Sequence, residues 1–165
     1  MPRRASLRVV GAVILGSLMG ACSTPKLPAA PGSPPHWSGR FSLTIQSEPV
    51  ERWSAGFDLQ GSATEGELEI HSPLGQRVAL LQWTPQQAEL QQGGQRTVRR
   101  SLEELTSELS GGWALPVAAL FDWLRGRPSS VGGWEADLSL QPEGRVVARR
   151  LHPLPAAELR LVFEP

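Results

Sequence analysis

From Trp37 to Ile45 the chain alternates without a break. Trp37, Gly39, Phe41, Leu43 and Ile45 take the odd positions, and Ser38, Arg40, Ser42 and Thr44 fall between them. Side chains of a strand point to opposite faces in turn, so this run is a strand with one apolar face. Such a strand must bury that face against elements of the same kind or against a helix. The alternation returns in Trp53, Ala55, Phe57 and Leu59, set against Arg52, Ser54, Asp58 and Gln60. It returns again in Leu68 and Ile70, between Glu67, Glu69 and His71. Shorter strands are predicted at residues 77–83, 87–91 and 95–99. The separators Glu48-Pro49, Gly61-Ser62, Ser72-Pro73-Leu74-Gly75, Thr84-Pro85 and Gly93-Gly94 are turn formers. Connections this short make neighbouring strands antiparallel.

The period then becomes helical. Ser101 with Glu104 three residues on forms a capping box, and Leu102, Leu105 and Leu109 share a face before Gly111-Gly112. A second helix is predicted to start at Pro116 and to carry Val117, Leu120, Phe121 and Leu124 on one stripe. Gly126 and Pro128 end it. Strands resume with Trp134, Ala136, Leu138 and Leu140, then residues 145–151, and last Leu159, Leu161 and Phe163. The fold class that satisfies every one-faced strand is mainly β with two covering helices, a curved antiparallel sheet wrapped over the helical pair.

The N-terminal stretch is of another kind. Arg3, Arg4 and Arg8 precede an apolar run from Val9 to Ala21, and Leu18-Met19-Gly20-Ala21 leads into Cys22, the only cysteine. A basic head, a short apolar stretch and small residues before the cut make a secretion signal over residues 1–21. A lone thiol at the junction suits covalent lipid rather than a disulfide, and the pattern resembles the lipobox of bacterial lipoproteins. Ser23 after the cysteine points to the outer membrane. Residues 22–36 are a Pro- and Ala-rich linker, and residues 37–165 the domain. Removing the signal takes three of sixteen basic residues and none of the sixteen acidic ones, leaving a formal charge of −3. That balance argues against a nucleic-acid partner.

Chemistry is hard to find. His36, His71 and His152 sit in no metal-binding or catalytic spacing, and HExxH, CxxC and GxSxG are absent. Glu65, Glu67 and Glu69 read as a solvated strand face rather than a calcium site. The chain is therefore expected to be no enzyme, with no metal and no cofactor beyond lipid on Cys22. What stands out is apolar: six tryptophans and four phenylalanines, most of them on the apolar faces. A curved sheet under two short helices can hold either a packed core or a greasy cavity, and the sequence leaves both open.

"WALPVAALFDWLRGRP", residues 113–128, resembles the helix motif of the LolB family of outer-membrane lipoproteins. "HSPLG" at 71–75 is similar to that family's loop before its central strands, and "WSGRFSLTI" to its first strand. The resemblance covers residues 37–128 well and the rest loosely. After Pro128 the family's all-β tail is longer by about one hairpin, which leaves the expected cavity shallower or more open here.

The resemblance implies an unclosed antiparallel barrel with an apolar cavity under its helices. It implies a monomer that accepts acylated lipoproteins from the periplasmic carrier LolA and releases them into outer-membrane lipid without nucleotide. Pro73, Leu74 and Gly75 would be the membrane-insertion loop. Trp123 matches the helix tryptophan that faces the cavity. Phe41, Leu43, Phe57, Leu59, Leu120 and Leu124 join it by face alone. The alternative is a structural or ligand-binding lipoprotein with a filled β core and no transfer role.

Overall fold

The computed structural model describes residues 34–109 and 115–164. The expected signal, Cys22, most of the linker, Gly111-Gly112 and Trp113 lie outside them. Nine strands form one antiparallel sheet: β1 His36–Ile45, β2 Glu51–Gly61, β3 Gly66–His71, β4 Arg77–Trp83, β5 Ala88–Gln92, β6 Gln95–Arg99, β7 Trp134–Asp137, β8 Arg145–Arg150 and β9 Ala157–Phe163. Their order is β6-β5-β4-β3-β2-β1-β9-β8-β7. The terminal strands β6 and β7 do not pair, so the sheet curves without closing into a barrel. His36, assigned to the linker by sequence, begins β1 instead.

Register follows the alternation. Gly39 faces Phe57, Phe41 faces Ala55 and Leu43 faces Trp53, so the odd residues of β1 and β2 share the inner face. On its other side β1 pairs with β9, Phe41 opposite Leu161 and Leu43 opposite Leu159. This long-range pairing joins the N-terminal meander to the last hairpin and makes one core of both.

Two helices lie between the halves. α1, Leu102–Leu109, packs on β5 and β6. Half of the expected capping box forms: the Glu104 N–H donates to Ser101 Oγ, while Glu104 Oε2 accepts from the N–H of Arg100, one residue before the cap, both at 3.1 Å. α2, Val117–Leu124, buries Val117, Ala119, Leu120, Phe121, Trp123 and Leu124. A helix apolar almost all round belongs inside a protein, and α2 is the covering element of the core. Its side chains join those of the strands in one apolar cluster.

Two predicted elements shift. β7 stops at Asp137, and Leu140 is 44 % exposed at a turn instead of continuing the strand. Pro142 lies in a short 3-10 turn, Gln141–Glu143, because its ring removes the donor a continuing strand needs. β4 is two-faced: Leu81 and Trp83 enter the core, while Leu80 is buried on the outer face.

Candidate functional site

The antiparallel order gives the sheet two unlike ends. At one end lie Trp37, Leu59, Trp83 and Ala88; at the other lie Ile45, Glu51 and Ala157, with His71 on the same side but set back, opposite Gly56.

The first end is closed by rings. Phe121 of α2 meets Trp37 and Trp83 edge to face, each with centroids 6.0 Å apart. Arg125 lies over Trp37 at 5.0 Å and over Phe121 at 5.8 Å, and donates to the Phe121 carbonyl. Edge-to-face pairs and a cation on a ring face each add roughly 0.5–1.5 kcal/mol beyond simple burial. The indole N–H groups are also satisfied, Trp83 Nε1 by Ser62 O at 3.1 Å and Trp123 Nε1 by Ser129 O at 2.9 Å. Gln141 Nε2 holds the Leu124 carbonyl at 2.8 Å, which pins the last turn of α2.

The residues expected to line a cavity all meet inside. Leu43, Phe57, Leu59, Leu120, Trp123 and Leu124 are buried members of one apolar cluster, and Phe41 packs half-buried against it. Trp123 and Leu59 are fully closed to water. These seven side chains therefore form the interior that the two helices cover.

The second end buries Ile45 and Ala157 but leaves one ring outside. Trp53 carries the inner-face parity of Phe57 and Leu59 and pairs with Leu43, yet it is 59 % exposed. On the same side of the sheet is the β3–β4 turn, whose β3 end, His71, faces Gly56 of β2. The Gly75 N–H donates to Ser72 O and the Ser72 N–H to Gln76 O, both at 2.8 Å, and Ser72 Oγ accepts from the Gln76 N–H. Gly75 has φ +79°, a conformation that disfavours any side chain, so the glycine sets the turn. Leu74 projects from its tip, 87 % exposed. A leucine there has nothing to pack on within the domain.

The outer face is polar and ion-paired. Glu67 accepts from Gln60 at 3.0 Å and from Gln82 at 2.5 Å. Arg96 clamps Glu89 and holds its carboxyl below the ordinary glutamate range, with help from Gln91. Glu158 lies between Arg160 and Arg149, and their hydrogen bonds lower its pKa likewise. His36 and His71 flank Asp58 at 3.4 and 2.9 Å, a cluster that diagonal neighbours across β1–β2–β3 bring together. Sequence reading missed it, because only the strand register shows that residues so far apart share one outer-face patch. Among the described residues no group of three or more His, Cys, Asp or Glu fits a metal ion. Two grooves of about 700 and 670 Å³ also lie on this outer side, one lined by Gln60, Glu67, Gln82 and Trp83, the other by Val78, Leu80 and Arg96. Both have polar rims unsuited to an acyl chain.

Among the described residues, no helix is long and apolar enough to cross a membrane. The apolar features of the domain are thus the buried interior, the exposed Trp53 and the Leu74 tip.

Comparison with known proteins agrees with that chemistry. Residues 35–152 match the family model described as outer membrane lipoprotein LolB. The chain is 29 % identical over 135 residues to the outer-membrane lipoprotein LolB of Ralstonia nicotianae, covering 74 % of this chain and 64 % of that protein. It is 31 % identical over 148 residues to the LolB of Chromobacterium violaceum, covering 87 % and 80 % of the two chains. With the LolB of Cupriavidus pinatubonensis it shares 32 % over 149 residues, 87 % of this chain and 70 % of the other. The chain thus spans about two thirds to four fifths of these relatives' lengths.

Proposed function

The chain belongs to the LolB family of outer-membrane lipoproteins, and from that premise we propose that it works in lipoprotein localisation at the outer membrane. It receives acylated lipoproteins from the periplasmic carrier LolA and inserts them into the bilayer to which its own Cys22 lipid tethers it. The observation that carries this reading is the contrast between the two ends of the sheet. Interlocked rings close one end, whereas on the other side Trp53, of inward parity, and Leu74 at its turn tip are left exposed.

Acyl chains enter at the uncovered end. Leu120, Trp123 and Leu124, packed in the apolar cluster, yield space to the guest by changing rotamer. The guest replaces side-chain contacts with its own apolar surface, which at roughly 25 cal/mol per Å² strongly disfavours waiting in water. Transfer without nucleotide needs only an ordered ladder of affinities, carrier below acceptor below bilayer. Each tenfold step is about 1.4 kcal/mol. Leu74 orients the mouth by entering the interface, worth about 1.5–3 kcal/mol, enough to align a tethered domain but not to anchor a free one.

The densely buried interior gives the competing reading its own support: a structural or ligand-binding outer-membrane lipoprotein with a filled core. Depleting the protein in its cell separates the two. Under the transfer reading, outer-membrane lipoproteins accumulate on the periplasmic carrier or at the inner membrane. Unchanged lipoprotein sorting refutes transfer and leaves the filled-core reading.

A further inference from the structure

Large apolar side chains exposed on the described surface are unevenly placed. Val50, Trp53, Leu74, Leu151 and Leu154 share the open end. The insertion loop accounts for Leu74 alone. Leu151 and Leu154, 67 % and 74 % exposed, lie in the β8–β9 turn, which sequence reading gave no role.

Pairing fixes where that turn stands. Arg150 faces Ala157, Ala157 faces Ile45, and Ile45 faces Glu51. The β8–β9 and β1–β2 turns are therefore level with each other, and the β3–β4 turn lies on the same side of the sheet but set back, since His71 faces Gly56 and Gly56 faces Arg40, five residues short of Ile45. From the β3–β4 turn to the β8–β9 turn is four strand spacings, about 19 Å across the strands, and about 17 Å along them.

The exposure is built in. Arg150, fully buried, donates through Nη2 to the Pro155 carbonyl at 2.6 Å and lies 5.6 Å from the Trp134 ring. The Gln46 N–H donates to Ala156 O at 2.8 Å and ties the turn to its neighbour. On the other side Gly133, at φ +82°, comes so close that a Cβ there would meet His152 O at 1.8 Å. A backbone held from three directions keeps both leucines outside the core.

A protein partner needs a contiguous apolar centre within roughly 800 Å² of surface. Here the apolar tips are separate, with Ser47, Glu48, Gln76 and His152 among them. A bilayer interface accepts scattered apolar tips along an oblique line on one side of a domain, and this domain resides at an outer membrane on the reading given above, on which the inference rests. We propose that the 151–156 turn is a second membrane-contact element, with Leu151 and Leu154 entering the bilayer interface alongside Leu74. A single inserted tip lets the domain pivot. Two tips well apart fix a line and hold the open mouth against the lipid.

The test uses the full-length lipidated protein in vesicles of phosphatidylethanolamine and phosphatidylglycerol containing nitroxide-labelled lipid. An environment-sensitive fluorophore is placed through Leu154→Cys, Leu74→Cys or, at the opposite end, Leu140→Cys. The expected result is that probes at 154 and 74 lose most of their emission to the nitroxide while the probe at 140 keeps its own. Quenching at 74 without 154 overturns the second contact and spares the first. Quenching at neither overturns both, and equal quenching at 140 overturns the oriented rim.

Discussion

The two ends of this sheet use the same residue types in opposite ways. At the closed end Trp37, Trp83 and Phe121 interlock, and Arg125 covers them. At the open end Trp53 has the same inner-face parity and no cover, and three turns carry leucines or valine outward. Aromatic content alone therefore says little. What matters is what packs against it: at the closed end α2 supplies Phe121 and Arg125.

The comparison is most easily broken at the closed end. Phe121→Ala removes the ring that both tryptophans meet, and the expected loss is about 3–5 kcal/mol of stability, read by urea denaturation. A loss under about 1 kcal/mol would mean the rings do not hold that end.

Next comes the brace beneath the open rim. Arg150→Ala deletes a charge-assisted hydrogen bond and a cation–ring contact, for an expected cost of about 2–4 kcal/mol. Amide exchange is expected to quicken across residues 151–156 before it does in α2. Uniform quickening through the whole sheet would remove the brace from the account.

The rim leucines behave oppositely. Leu154→Ser is expected to leave stability within about 0.5 kcal/mol, since nothing in the domain packs on a side chain so exposed. A measurable destabilisation would show that the turn packs inward.

The smallest effect is electrostatic. Hydrogen bonds from Arg160 and Arg149 lower the Glu158 pKa in the folded chain. Its contribution is therefore present above the ordinary glutamate value and lost as pH falls through the lowered one. Glu158→Gln should flatten that part of the acid limb of a stability–pH curve. An unchanged limb would make the pairs inert, as many exposed ion pairs are.

Much of this was legible beforehand because burial of one face imposes period two. β1 and β2 carry it for the length of a strand, and the Ser101 cap and Pro116 mark helix starts by local chemistry. Leu74 was legible because Pro73 and Gly75 leave a turn no other conformation. The β1–β9 pairing was not, since no local signal says which distant strand completes an edge. Arg150 was missed for a related reason. It continues the inner parity of Val146 and Ala148, but a guanidinium at that position reads as an interruption until Pro155 and Trp134 are brought to it. Trp53 misled in the opposite direction: its parity is inward, yet its side chain is left exposed.

The central claim is that cargo enters the interior and leaves through the end that Leu74 turns toward the membrane. The most direct measurement loads the full-length Leu74→Glu variant with an acylated lipoprotein from its carrier and follows release into outer-membrane vesicles. Normal loading with delivery slowed tenfold or more is expected, because a carboxylate reverses a contribution of about 1.5–3 kcal/mol at the interface. Delivery at the native rate would contradict the account.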